Sequence, residues 1–224
     1  KNMEKIMVRN REQETLGLKG YNICIGLSLL FGLMITALGT YLFRDSLGMM
    51  FNAHPLIFSI LYLIVGVGCG YMARTAESNG GAILGYTLLT LATGALLSAC
   101  VPYEKTGMVI NAAITTAIIL IVMIAVATVF PQAFTGLGKI LFTALTSFII
   151  AEFFMLIIFR TEPAIMDWLC IGLFTIYIGY DWAKGMEYPK TVKFAVITAT
   201  QLYLDVINIF IRILSRSSSS RSNK

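Results

Sequence analysis

Three acidic residues interrupt apolar stretches of this chain, and their positions set the question of function. Glu152 lies in Phe148-Ile-Ile-Ala-Glu-Phe-Phe-Met155, Asp181 follows Tyr177-Ile-Gly-Tyr180, and Asp205 lies in the last apolar segment, Thr191 to Ser215. In that segment Thr198, Gln201, Asp205, Asn208, Arg212 and Ser215 recur at steps of 3, 4, 3, 4 and 3, which places all six on one helix face. A charge at the centre of a bilayer costs roughly 2.5 to 3.5 kcal/mol even on the gentlest insertion scales. Asp205 must therefore face protein or water. Asp181 and Asp205 lie on consecutive segments joined by a short turn. Two carboxylates brought together in low dielectric cannot easily both ionise, so the pair titrates as a unit and reads as a pH sensor. When ionised, its oxygens suit a hard cation such as calcium.

Each acid also has a plainer account. Asp181 precedes Lys184 by three residues, a spacing that allows a salt bridge on one helix face. Glu152 has no polar residue three or four places away on either side, and reads either as a lone protonated acid against another helix or as a mark on a cation path. Gln201 and Asn208 join it as candidate lining of such a path, or serve as interhelical glue. Register is the difficulty for the aspartate pair. A hairpin levels Asp181 with Asp205 only if it turns at Lys193, and the Tyr188-Pro189-Lys190 turn lies earlier. The mismatch is about 8 residues, roughly 12 Å along a helix.

The elements that must position these groups are membrane spans. The chain of 224 residues is 57% hydrophobic and 13% charged, against about 25% charged in soluble domains. At about 20 residues per span, it has room for six to eight spans and little aqueous domain. Apolar blocks run over 21–43, 56–72, 82–101, 107–130, 141–159, 168–183 and 194–214. The expected fold is thus an all-α membrane protein, a seven-transmembrane helix bundle over 21–214, after a polar N-terminal segment (1–20) and before a polar, disordered tail (215–224) holding the serine run Ser217 to Ser220. The turn formers His54-Pro55, Ser78-Asn79-Gly80-Gly81, Pro131, Glu162-Pro163 and Tyr188-Pro189 separate the blocks, and short loops make neighbours antiparallel.

With the N-terminus inside, the inner segments hold Lys1, Lys5, Arg9, Arg11, Lys19, Arg74, Lys139, Lys184, Lys190 and Lys193, and the outer loops only Arg44, Lys105 and Arg160. The positive-inside rule favours that orientation. Seven spans then put Arg212, Arg216, Arg221 and Lys224 outside, a conflict that a re-entrant or six-span arrangement would remove. The first 20 residues lack an apolar core and do not read as a cleaved signal peptide, so the first span is expected to direct insertion. Net charge +5 comes mostly from the two ends and speaks to topology, with no nucleic-acid partner expected. Cys24, Cys69, Cys100 and Cys170 are scattered singly, with only His54 as a histidine partner, and make no metal or disulfide framework. The pairs Gly66/Gly70 and Gly81/Gly85, and the stripe Thr87, Thr90, Gly94 and Ser98, have the spacing of close helix packing.

The ending Tyr180-Asp181, a short basic loop, then Leu202-Tyr203-Leu204-Asp205-Val206-Ile207-Asn208-Ile209-Phe210-Ile211-Arg212-Ile213-Leu214, resembles the close of the transmembrane Bax inhibitor motif family. Phe134-Thr135-Gly136-Leu137-Gly138 is similar to that family's connection into the fifth span. The resemblance covers about 134–214 strongly and the rest by span number and spacing. It implies a bundle in which the last helix is central and wrapped by the other six. It further implies a pH-sensitive calcium leak, not an enzyme, gated by Asp181 and Asp205 sharing a proton, with calcium as permeant ion and no cofactor. Arg74 is the nearest match to the family arginine that latches one aspartate when shut. Members often carry an acid in the second span; 56–72 has none, and Glu152 would supply that charge. Bacterial members imply the plasma membrane and eukaryotic ones an endomembrane. Beyond lipid, calcium and protons no partner is implied, and a monomer is expected.

Other classes use the same residue types. A proton-coupled secondary transporter would use buried acids as a relay, and its usual mark, an internal repeat with paired broken helices, is not found here. An intramembrane aspartyl protease also carries Tyr-Asp on one span and Asp on the next, but its second aspartate lies in Gly-x-Gly-Asp, where this chain has Leu202-Tyr203-Leu204-Asp205. In a structural or interaction protein, the last stripe would be interhelical glue.

Overall fold

The computed structural model describes residues 15–43, 55–100, 106–159 and 163–222. His54 and the charged positions Lys1, Lys5, Arg9, Arg11, Arg44, Lys105, Arg160 and Lys224 lie outside them. Among the described residues the chain is helical throughout: α1 (Leu18–Leu42), α2 (Pro55–Thr75), α3 (Asn79–Cys100), α4 (Thr106–Val129), the short α5 (Pro131–Thr135), α6 (Gly138–Phe154) running into a π-helical turn at Met155–Phe159, α7 (Ala164–Glu187) and α8 (Val192–Ser222). Each expected apolar block lies on one of the long helices. Five of these, α1, α3, α4, α7 and α8, are long and apolar enough to cross a membrane. Their outward faces carry large apolar side chains, such as Met34, Ile121 and Ile176, which only lipid or protein can shelter.

Local chemistry sets the helix ends. Pro55 and Pro131 begin α2 and α5, where a missing N–H costs nothing. Ser78 accepts from the Gly81 amide at 3.1 Å before α3. Thr191 accepts from the Phe194 amide at 3.5 Å before α8. The polar tail is helical to Ser222, whereas the sequence led to the expectation of disorder from Ser215. Threonines within the apolar helices bond their own backbone, as Thr87 to Ile83 and Thr116 to Ala112, both at 2.8 Å. Each hydroxyl is thereby satisfied without a partner helix.

The chain forms two compact units: residues 1–100 with 187–200, and 101–186 with 201–224. In the first, α3 packs against both α1 and α2, and small residues make the approach possible. A Cβ on Gly94 would lie 2.5 Å from the Thr36 carbonyl and 3.0 Å from the Gly39 Cα. One on Gly85 would lie 2.6 Å from the Ala73 amide nitrogen. Thr36 and Thr40 of α1 donate across the same seam to Thr90 and Gly94 carbonyls at 3.1 and 3.2 Å. Gly94, in the stripe given no chemistry from sequence, is thus a close-packing position. Gly70 has open space around it and Gly66 an ordinary contact at 3.9 Å, so the second-span pair does not work as a close-approach motif. The start of α8 docks in this unit: the Tyr21 and Thr198 hydroxyls share a hydrogen bond at 3.1 Å, and Lys190 lies 4.6 Å above the Tyr21 ring.

In the second unit, Met108 and Ala112 of α4 form a core with Leu214 of α8. Trp182 donates its indole N–H to Thr128 at 2.9 Å. Burial rises sharply at α8: 72% of its apolar window is buried, against 17% for α4. The helix that carries the polar stripe is therefore the most sheltered of the five.

Substitution Gly94→Val should lower the thermal unfolding midpoint in detergent, through about 1–3 kcal/mol of overpacking against backbone that cannot move aside. Gly70→Ala should leave the midpoint unchanged or slightly raised, since it meets no neighbour and gains helix propensity. Equal effects at the two positions would contradict the assigned seam.

Candidate functional site

Asp181 and Asp205 are both buried, with 6% and 3% of their surface exposed. Gln201 donates its Nε2 to Asp181 Oδ1 at 3.2 Å. Asp205 lies one helical turn further along α8, four residues or about 6 Å. The Tyr177 hydroxyl, one turn before Asp181 on α7, is within electrostatic reach of both carboxylates. In antiparallel helices a step back along α7 matches a step forward along α8, so Tyr177 and Asp205 occupy the same level.

This register corrects the mismatch expected from sequence. The linker runs from 188 through Thr191, because Thr191 caps α8 from outside its first turn. The hairpin therefore centres on Thr191, midway between Asp181 and its partner Gln201, and not on Pro189. Moving the centre by two residues moves the pairing by four. The remaining offset between the aspartates is one helical turn.

Packing beneath Asp181 comes from the Phe134 to Gly138 element. A Cβ on Gly179 would lie 2.4 Å from the Phe134 ring, and one on Gly138 would lie 2.7 Å from the Tyr180 hydroxyl. The two ring–glycine contacts are made by Gly179 and Tyr180, the two α7 residues just before Asp181. They fix its backbone against α5 and α6, so that the carboxylate is held by packing as well as by its hydrogen bond.

A second polar cluster lies two turns further along α8. Arg212 forms an ion pair with Glu152 of α6 and another with Asp167 of α7, the latter at 3.2 Å. Its guanidinium also lies 5.9 Å from the Phe148 ring. Glu152 is therefore not a lone acid: one guanidinium bridges its carboxylate and that of Asp167 on a second helix. Asp167 escaped notice in the sequence because it stands at the start of a span, where a charge needs no explanation. The hint was Arg212 itself, a cation on the same face as Asp205.

The other expected positions are more local. Asn208 donates to the Leu204 carbonyl of its own helix at 2.7 Å. Arg74 is exposed in the last turn of α2 and belongs to the first compact unit, while the two aspartates belong to the second. Gln201 keeps its carbonyl oxygen buried without a hydrogen-bond donor among the described residues, which costs about 1–3 kcal/mol. No group of three or more His, Cys, Asp or Glu side chains able to hold a metal ion occurs among the described residues. Two aspartates and an amide provide fewer oxygens than the six to eight of a resident calcium site.

Removing Arg212 leaves two partly buried carboxylates facing each other. Arg212→Ala should destabilise by about 1–3 kcal/mol, less than a fully buried pair because the three side chains keep some solvent contact. Glu152→Gln should cost less, and combining it with Arg212→Ala should recover part of the loss. A double-mutant cycle of thermal midpoints checks this; strictly additive losses would sink the bridge.

The family model described as inhibitor of apoptosis-promoting Bax1 matches residues 26–222, from within α1 to the end of α8. Comparison with curated proteins returns no match.

Proposed function

We propose that this chain, which belongs to the family described as inhibitor of apoptosis-promoting Bax1, is a pH-modulated leak for cations, with calcium as the favoured ion. It is an integral multi-pass membrane protein. In the proposal it crosses the membrane seven times, with α8 as the innermost helix, and needs no enzymatic step and no bound cofactor.

The observation that carries the reading is that Asp181 and Asp205 are both buried, with the Tyr177 hydroxyl within electrostatic reach of both and the Gln201 amide, one turn before Asp205, bonded to Asp181. In low dielectric such a pair holds one proton between its two carboxylates, because a second negative charge nearby has no water to screen it. Loss of that proton leaves two like charges facing each other across α7 and α8. Repulsion then loosens the contact between the helices, or a cation enters to neutralise it. Either outcome ties passage of a divalent cation to proton occupancy. The hard oxygens of the pair suit calcium over softer ions.

Purified protein in liposomes loaded with a calcium dye, assayed between about pH 5 and 8 where a carboxylate pair would respond, tests the reading. The expected result is flux that varies with pH in the native chain, and that falls or loses its pH dependence in both Asp181→Asn and Asp205→Asn. An unaltered pH profile in both variants would remove the sensor. Uptake that saturates and follows an imposed proton gradient would favour a proton-coupled transporter using the same acids.

A further inference from the structure

We propose that Arg216 of α8 and the outward face of α7 around Trp168 form a site for an anionic phospholipid, whose phosphate takes the guanidinium and whose acyl chains lie along α7. The inference does not rest on the aspartate pair, and goes beyond the leak reading by giving the protein a lipid ligand.

Arg212 and Arg216 stand one turn apart near the end of α8, and they are treated unequally. Arg212 takes both Glu152 and Asp167. Arg216 pairs with no carboxylate among the described residues; its guanidinium lies 5.8 Å from the centre of the Trp168 ring. Its Nε is buried and has no hydrogen-bond partner among the described residues. A guanidinium cannot shed its charge, so a buried N–H of this kind calls for an acceptor. Asp167, the residue before Trp168, accepts from Arg212 instead. An acceptor from outside the chain would complete the group, and the guanidinium fork matches phosphate oxygens two at a time.

The surroundings indicate which phosphate it would be. Ile165, Trp168 and Leu169 follow one another on α7 at i, i+3 and i+4, which places them on one face, and they are 57%, 59% and 53% exposed. On a membrane-spanning helix such a face is covered by acyl chains. Tryptophan belongs at the headgroup level, where its ring is sheltered and its N–H is wet. The cation over that ring therefore stands at the head of an apolar ridge. A free phosphate ion would use the cation alone, whereas a phospholipid uses the cation and the ridge together. Ser217 adds nothing to the recognition, since its hydroxyl donates to the Ile213 carbonyl of its own helix at 2.9 Å. Arg221 and Lys224 follow in the sequence and add a general attraction to an anionic surface.

The test is native mass spectrometry of the full chain in detergent, titrated with phosphatidylglycerol or with phosphatidylcholine carrying the same acyl chains, and read as the dissociation constant of the first bound lipid. The native chain should prefer phosphatidylglycerol by about tenfold, and Arg216→Gln should remove most of that preference, the scale of one lost hydrogen bond to a charged group. Arg216→Lys, a second variant in case the first folds poorly, keeps the charge without the fork and should weaken phosphatidylglycerol binding about threefold. Arg221→Gln should leave it nearly unchanged. Thermal midpoints in phosphatidylcholine check that each variant is folded. Equal affinity of the native chain for the two lipids would overturn the inference. So would equal losses in Arg216→Gln and Arg221→Gln, or native binding in Arg216→Lys, since either would reduce the effect to a general attraction of the basic end. Displacement of phosphatidylglycerol by millimolar inorganic phosphate would make this a site for the free ion and overturn the lipid assignment.

Discussion

A charge carried on an apolar helix must be met by another group, and α8 is built around that requirement. Several positions of its stripe meet partners on other helices. Thr198 shares a hydrogen bond with Tyr21, Gln201 bonds Asp181, and Arg212 takes up Glu152 and Asp167. Each of these contacts ties α8 to a helix of the same compact unit. The helix with the most polar face is consequently the one with the most buried surface, since burial beside polar partners is what makes its charges tolerable. The two acid clusters differ in kind. Arg212 neutralises the carboxylates it touches by a fixed positive charge. Asp181 is met by the neutral amide of Gln201, and the proposed reading adds a proton, which is able to leave. That difference separates a structural tie from a switchable one.

Close backbone packing supports the switchable pair. Gly179 beneath the Phe134 ring and Gly138 beneath the Tyr180 ring let α7 seat closely on α5 and α6. The carboxylate of Asp181 is thus presented from a turn fixed on two sides, while its partner lies on the sheltered face of α8. Gly85 and Gly94 do the corresponding work around α3. In the proposed reading such preorganised surroundings matter because relaxation by a few ångströms in low dielectric would let each acid ionise or neutralise alone.

Much of this was legible in the sequence, for physical reasons that differ by residue. Hydropathy located every long helix, since crossing a bilayer demands an apolar run that nothing else requires. The period of the last stripe picked out Thr198, Gln201 and Asp205, all buried, although burial on α8 runs round the helix and Ser215 of the same stripe is exposed. Asp181 and Asp205 stood out because isolated acids in such runs are costly, and the resemblance over 134–214 led to the same two residues and to the family now shown. What remained hidden depended on distance between helices. Glu152 looked solitary because its cation is 60 residues away in the chain. Asp167 looked like an ordinary span end. The hairpin register was misjudged by four residues, because whether Thr191 belongs to the linker or to the helix is settled by one capping bond. Among glycines with equal spacing, only contact with a neighbouring backbone distinguishes Gly94 from Gly70.

The central claim is that a single proton shared by Asp181 and Asp205 controls passage of the cation. It is tested most directly by following, in one liposome preparation and over one pH series, the infrared band of the protonated carboxyl and the calcium flux. The account predicts loss of one carboxyl proton with the same midpoint as the change in flux, both absent when either aspartate is replaced by asparagine. Two independent carboxyl titrations, or a flux midpoint displaced from the carboxyl midpoint, would contradict it.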